Sequence, residues 1–103
     1  MPPIQTAPAG IERFLQEHPD WSPHSNKLHR EYLFPDFVAA FGFMTRVALK
    51  AEQAGHHPEW CNIYNRVVVD LATHDAGGVT EKDLALARQM EALFQRGVTV
   101  CNR

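Results

Sequence analysis

The strongest constraint on this chain is a long helical period that its own sequence brings to a halt. Phe37, Phe41, Met44, Ala48 and Ala51 recur at spacings of three and four residues, with Val47 beside them. Pro35 and Asp36 open the run, which extends to about Ala54. Gly55 then stands where a left-handed cap residue belongs, and Pro58 forbids continuation because it has no N–H to offer. Large apolar side chains at helical spacing are normally buried, so Phe37, Phe41 and Met44 are expected in the core.

The segments on either side read differently. Residues 1 to 8 are Pro-rich and expected to be loose. A short helix is expected from Ala9 to about Glu17, with Ile11, Phe14 and Leu15 on one side and Pro19 as its stop. Pro23 allows only a short strand within Trp21 to Asn26. From Lys27 to Phe34 the chain alternates, with Leu28, Arg30, Tyr32 and Phe34 on one face, the mark of a half-buried strand. After the long helix, Glu59 to Thr73 is rich in aromatic and β-branched residues. It reads either as one long strand or as a hairpin turning at Asn65-Arg66, and the hairpin better suits the usual strand length. A glycine-containing loop follows from Asp75 to Val79. Thr80 then caps a last helix, with Asp83 at the capping-box position. Leu84, Ala87, Met90 or Glu91, and Phe94 mark its faces, and it is expected to end near Arg96, before Gly97. The order is α-β-β-α-β-β-α, an α+β arrangement with an antiparallel sheet and helices packed on one face.

Composition narrows the function. The 103 residues suit a single domain over the whole chain, 1–103. So small a domain buries a modest share of its surface, which favours self-association. The net charge is −2 and no basic run tracks a phosphate backbone, so direct nucleic-acid binding is not expected. No apolar stretch approaches the roughly 18 residues that span a bilayer. MPPIQTAPAG lacks the regions of a signal peptide, and Cys61 and Cys101 suggest no disulfide framework, so a reducing cytoplasmic home is the default.

The chain holds six histidines, and His56, His57 and His74 lie close in sequence. His57 precedes a proline and is pushed to extended backbone. Adjacent extended residues point apart, which argues against both rings chelating one ion. Glu52 falls in the last helical turn, where a carboxylate opposes the helix dipole. His74 ends the last strand. Taken singly, each has an ordinary explanation: surface or core histidines, a solvated Glu52, Asp83 as a cap, and Trp60 and Tyr64 as packing aromatics.

Together they form a pattern. Glu52, three residues, His56-His57-Pro58, five residues, Tyr64, nine residues, His74, eight residues, Asp83: this spacing resembles that of the pterin-4a-carbinolamine dehydratases. PDFVAAFGFMTRVALKAEQAGHHPEWCNIYNRVVVDLATHDAGGVTEKDLALA, from Pro35 to Ala87, is similar to that family, and Trp21, Arg30 and Phe34 match its N-terminal pattern. The resemblance implies a four-stranded antiparallel sheet with three helices, and a homodimer or homotetramer. It implies dehydration of 4a-hydroxytetrahydropterins, left behind by aromatic amino-acid hydroxylases, to quinonoid dihydropterins, with no metal and no organic cofactor. Carried over, His56, His57 and His74 are the catalytic histidines. Gly55, His56 and His57, with Ala72, Thr73, His74 and Asp75, contact the pterin, and Glu52 and Asp83 support the site. Two departures stand out. Gly55 replaces the polar or acidic residue often found before the paired histidines, and the segment from Trp21 to Asp36, with Pro23, is shorter than in animal members.

The chemistry suits the residues. The 4a-hydroxyl must be protonated to leave as water while a base takes the N5 proton, and both transfers need groups that titrate near neutrality. Histidine, with an ordinary pKa of about 6.5, is such a group. The expected arrangement has His57 and His74 facing the pterin from opposite sides, with His56 oriented by Glu52. Two other readings compete. Animal members of the family also stabilise the dimerisation helices of a homeodomain transcription factor, so a dimerisation or coactivator-type protein-interaction module is the alternative. A metal hydrolase using Glu52 and the histidines is disfavoured by the absence of HExxH spacing.

Overall fold

The computed structural model describes residues 4–100, with side chains as far as Gln95. The elements are α1 (Pro8–Glu17), β1 (Ser22–His24), β2 (Lys27–Leu33), α2 (Phe37–Ala54), β3 (Glu59–Ile63), β4 (Arg66–Leu71) and α3 (Glu81–Val100), with a 3-10 turn at His74–Ala76. Their order is the expected α-β-β-α-β-β-α. Of the start expected to be loose, residues 1 to 3 lie outside the described residues. Thr6 N–H donates to the Val79 carbonyl at 2.7 Å, and Pro8 opens α1, where its fixed φ suits the first helical turn.

The four strands form one antiparallel sheet in the order β1-β2-β4-β3. α2 carries the chain from one hairpin to the next, so that β4 docks beside β2. Period-two burial then follows. Leu28, Arg30 and Tyr32 of β2 and Val67, Val69 and Leu71 of β4 turn to one face, where all three helices cover them. Phe14 from α1, Phe43 and Val47 from α2, and Leu86 and Met90 from α3 complete this core. Each such side chain contributes roughly 1.5–3 kcal/mol by leaving water.

Three local expectations are corrected. The β3–β4 turn is Tyr64-Asn65, one residue earlier than Asn65-Arg66, because Arg66 pairs with Ile63 on one side and Leu33 on the other. Tyr64 takes the left-handed φ of 52°. The Asn65 amide donates to the Phe34 carbonyl at 3.0 Å, which ties the turn to the end of β2. A register one residue away would turn Val67, Val69 and Leu71 to solvent. In α2 the buried stripe is Ala40, Phe43, Val47 and Ala51, with Met44 half-buried, whereas Phe37 and Phe41 are 47% and 53% exposed. The helix carries two overlapping apolar stripes, and the sheet selects one. Finally, α3 does not stop before Gly97 but continues to Val100. An interior glycine costs about 1 kcal/mol against alanine, and no proline follows to forbid the helix.

One partly buried polar group positions α3. Glu91 accepts hydrogen bonds from Trp21 Nε1 at 3.1 Å, from Arg30 Nε at 3.0 Å and from the Tyr32 hydroxyl. Burial, and secondarily the Glu91 carboxylate, push the Tyr32 phenol well above its ordinary pKa, so it stays a donor. The clamp holds α3 against β2 and so fixes the height of Asp83, about two turns upstream. Among the described residues no helix is long and apolar enough to cross a membrane.

Candidate active site

The end of α2 aims the paired histidines. Gly55 adopts φ 66°, ψ 29°. Its N–H donates to the Glu52 carbonyl at 3.2 Å, and the His56 N–H reaches back to the Ala51 carbonyl at 3.1 Å. This is a Schellman closure, which needs a left-handed residue at Gly55. A Cβ there would meet nothing within 4 Å, so glycine serves the backbone angle and not a lack of space. The reversal sends the two rings apart. His56 turns inward, with its side chain 11% exposed, and His57 turns outward at 66%.

Inside, His56 meets the start of α3. Its Nε2 lies 2.5 Å from Asp83 Oδ1. Asp83 is fully buried, and its other oxygen accepts from the Thr73 hydroxyl and from the Thr80 N–H, each at 2.8 Å. The Thr73 and Thr80 hydroxyls are 2.6 Å apart, and Thr80 Oγ1 accepts the Lys82 N–H at 3.3 Å. Asp83 is therefore both the capping-box partner and the point where three segments meet: the end of α2, the end of β4 and the start of α3. An ionised carboxylate can only accept, so opposite an ionised Asp83 the His56 Nε2 is the donor and its Nδ1 is left as the other ring nitrogen. No buried side-chain nitrogen or oxygen among the described residues lacks a partner.

Outside, His57 Nε2 lies 2.9 Å from Glu52 Oε1, with both side chains largely in solvent. This corrects the expected pairing of Glu52 with His56. Had the helix continued, the four-residue spacing would have stacked those two; the left-handed Gly55 instead swings His56 to Asp83 and leaves Glu52 to His57. His74 follows Thr73 directly, begins the 3-10 turn and is exposed. Ala72 is half-buried and Asp75 exposed on the same stretch. Hydrogen bonding thus joins His56, Asp83 and Thr73 in one network, with His74 one residue along the chain, while Glu52 and His57 form a separate exposed pair. The Thr73–Thr80 hydroxyl pair escaped the sequence reading, although the T-x-x-D capping signature was its visible trace. Among the described residues, no three or more His, Cys, Asp or Glu side chains are gathered as a metal-binding group.

The family model described as Pterin 4 alpha carbinolamine dehydratase matches residues 5–93. A relative from Solibacter usitatus, provisionally named a pterin-4-alpha-carbinolamine dehydratase, is 57% identical over 83 residues, covering 81% of this chain and 87% of its own. One from Rhodospirillum rubrum with the same provisional name is 49% identical over 85 residues, covering 81% and 88%. A crystal structure from Brucella melitensis, titled transcriptional coactivator/pterin dehydratase, superposes with a TM-score of 0.83 at 43% identity, covering 86% of this chain and 97% of its own. On the family model's match to most of the chain and on these relatives, the chain belongs to the pterin-4-alpha-carbinolamine dehydratase family, a family of hydro-lyases.

Proposed function

We propose that this single-domain protein dehydrates 4a-hydroxytetrahydropterins to quinonoid dihydropterins by histidine acid–base catalysis, in the cytoplasm, recycling the carbinolamine that a pterin-dependent hydroxylase leaves behind. The observation that carries the reading is the split fate of the histidine pair: one ring locked on a buried carboxylate, the other exposed beside Glu52. In the reaction, an imidazolium gives its proton to the 4a-hydroxyl, the C4a–O bond breaks and water leaves. The N5 lone pair forms the C4a=N5 bond, and a neutral imidazole takes the N5 proton. His57 and His74, both exposed, are the proton-transfer pair. His56, held by Asp83, lines the site with Gly55 and the Ala72–Asp75 stretch. Neither transfer calls for a metal or organic cofactor.

The test follows quinonoid dihydropterin formation from freshly generated 4a-hydroxytetrahydropterin. His57→Ala and His74→Ala should each lower kcat by about one to four orders of magnitude with the fold intact, and the double variant should be nearly inactive. A double variant with wild-type kcat refutes the assignment.

The exposed stripe of α2 supports a homo-oligomer, dimer or tetramer. Phe37, Val38, Phe41 and Leu49 are 47% to 78% exposed on one helix, and the Phe37 and Phe41 rings pack in a tilted arrangement with centroids 5.7 Å apart. An apolar stripe of this kind marks an interaction surface. The same stripe supports the second reading, a protein-interaction module, in keeping with the coactivator half of the Brucella title.

A further inference from the structure

We propose that Gln5, assisted by Thr6, is a positioning residue that holds the His74 turn from outside, in trans to the grip Asp83 has on it from inside. The inference rests on the reading of His74 as a proton-transfer group. The turn is short and internally thin. Ala76 N–H donates to Thr73 O at 3.0 Å, Gly77 N–H donates to His74 O at 3.1 Å, and the Thr73 N–H closes the neck on Gly78 O at 2.8 Å. That leaves the Ala76 carbonyl at the open end of the turn, where helical backbone has no internal donor. Gln5 supplies one: its Nε2 donates to Ala76 O at 2.7 Å, across 71 residues of sequence. One residue on, Thr6 N–H binds Val79 O at 2.7 Å, and its hydroxyl donates to Glu81 Oε2 at 3.1 Å.

The neighbouring glycines fit this arm. A Cβ on Gly78 would come within 3.1 Å of the Gln5 side chain, so a larger residue would push the amide away from its carbonyl. A Cβ on Gly10 would meet Thr6 Cγ2 at 2.9 Å, so a larger residue at position 10 would force Thr6 to shift. His74 therefore lies between two anchored residues. Thr73 is held by Asp83 at 2.8 Å, and Ala76 is held by Gln5. Loss of either anchor frees the ring's backbone on one side, and the arm is the anchor that lies outside the catalytic network.

Gln5→Met tests this in the full-length chain, because it keeps the approximate length of the side chain and removes the amide, and with it the donor to Ala76 O. Amide exchange at Ala76 and Gly77 should rise roughly three- to tenfold, the value of one net hydrogen bond, with exchange in α2 and β4 unchanged. The kcat for 4a-hydroxytetrahydropterin should fall by a similar factor. In a His74→Ala background the same change should cost nothing further, since Gln5 would act through a ring no longer there. Unchanged exchange in the turn, or an equal loss of kcat in both backgrounds, overturns the positioning role while leaving the catalytic reading standing. A His74→Ala variant with undiminished kcat overturns the catalytic reading itself, and the role of Gln5 with it.

Discussion

Replacing Asp83 by asparagine removes one charge and exchanges one oxygen for an NH2 group, at nearly constant volume. Asp83 is fully buried and accepts from Thr73 Oγ1, Thr80 N–H and His56 Nε2. Charge-assisted hydrogen bonds are about twice as strong as neutral ones, so the two bonds that asparagine can keep weaken by about 1 kcal/mol together or slightly more. The third is inverted. The new NH2 faces the His56 Nε2–H, donor against donor, until the imidazole moves its proton to Nδ1, which adds about 1 kcal/mol more. The sum is roughly 2–3 kcal/mol, which lowers Tm by roughly 8–20 °C in a domain of this size without abolishing folding. Thermal unfolding followed by circular dichroism measures it. Turnover should fall as well, by about tenfold to a hundredfold, because His56, which lines the site, then presents the wrong tautomer to the pterin. Glu52→Gln is the control. Glu52 and His57 form an exposed pair 2.9 Å apart, worth less than about 1 kcal/mol, so Tm should hardly move. If Asp83→Asn unfolded within about 0.5 kcal/mol of wild type, or Glu52→Gln cost as much as Asp83→Asn, burial would not be what separates these two carboxylate–imidazole pairs.

Other consequences can be measured independently. Gly55→Ala should cost about 1–2 kcal/mol in chemical denaturation, all of it from the left-handed φ since no atom lies within 4 Å, and Gly55→Asn should cost much less. His29 is raised above the ordinary histidine value, chiefly by its hydrogen bond to Asp70 and also by Glu31, against partial burial. Its contribution to stability is therefore complete below about pH 6.5 and fades as pH rises through the folded-state value. His29→Gln should flatten the pH dependence of the unfolding free energy there by a few tenths of a kcal/mol, and a steeper profile in the variant would contradict the sign. Light scattering should return a multiple of the chain mass at micromolar concentration, and Phe37→Glu with Phe41→Glu should lower it; a wild-type mass of one chain would rule out the oligomer. Exhaustive chelation should leave dehydratase turnover unchanged, and activity lost to chelation and restored by zinc would revive the metal-hydrolase reading.

The helix stop at Gly55 and Pro58 and the cap at Thr80 and Asp83 were readable from the sequence because they act through the backbone within a few residues. Alternation in β2 was readable for the same reason, and so the element order followed. The candidate site residues were named from the His-His-Pro spacing and its family resemblance. Decisions between alternatives of equal local merit belonged to the tertiary structure. Periodicity alone cannot choose between the Phe37–Phe41 and Phe43–Val47 stripes of α2, and docking on the sheet chose the second. Glu91, which competed with Met90 for the face of α3, became the acceptor for Trp21, Arg30 and Tyr32, partners 59 to 70 residues away. The pairing of His56 with Asp83 and of His57 with Glu52 depended on a reversal at Gly55 and on a helix arriving from 27 residues downstream. Local chemistry sets where a chain must turn, whereas the partner a side chain meets after the turn depends on packing between segments that sequence distance does not encode.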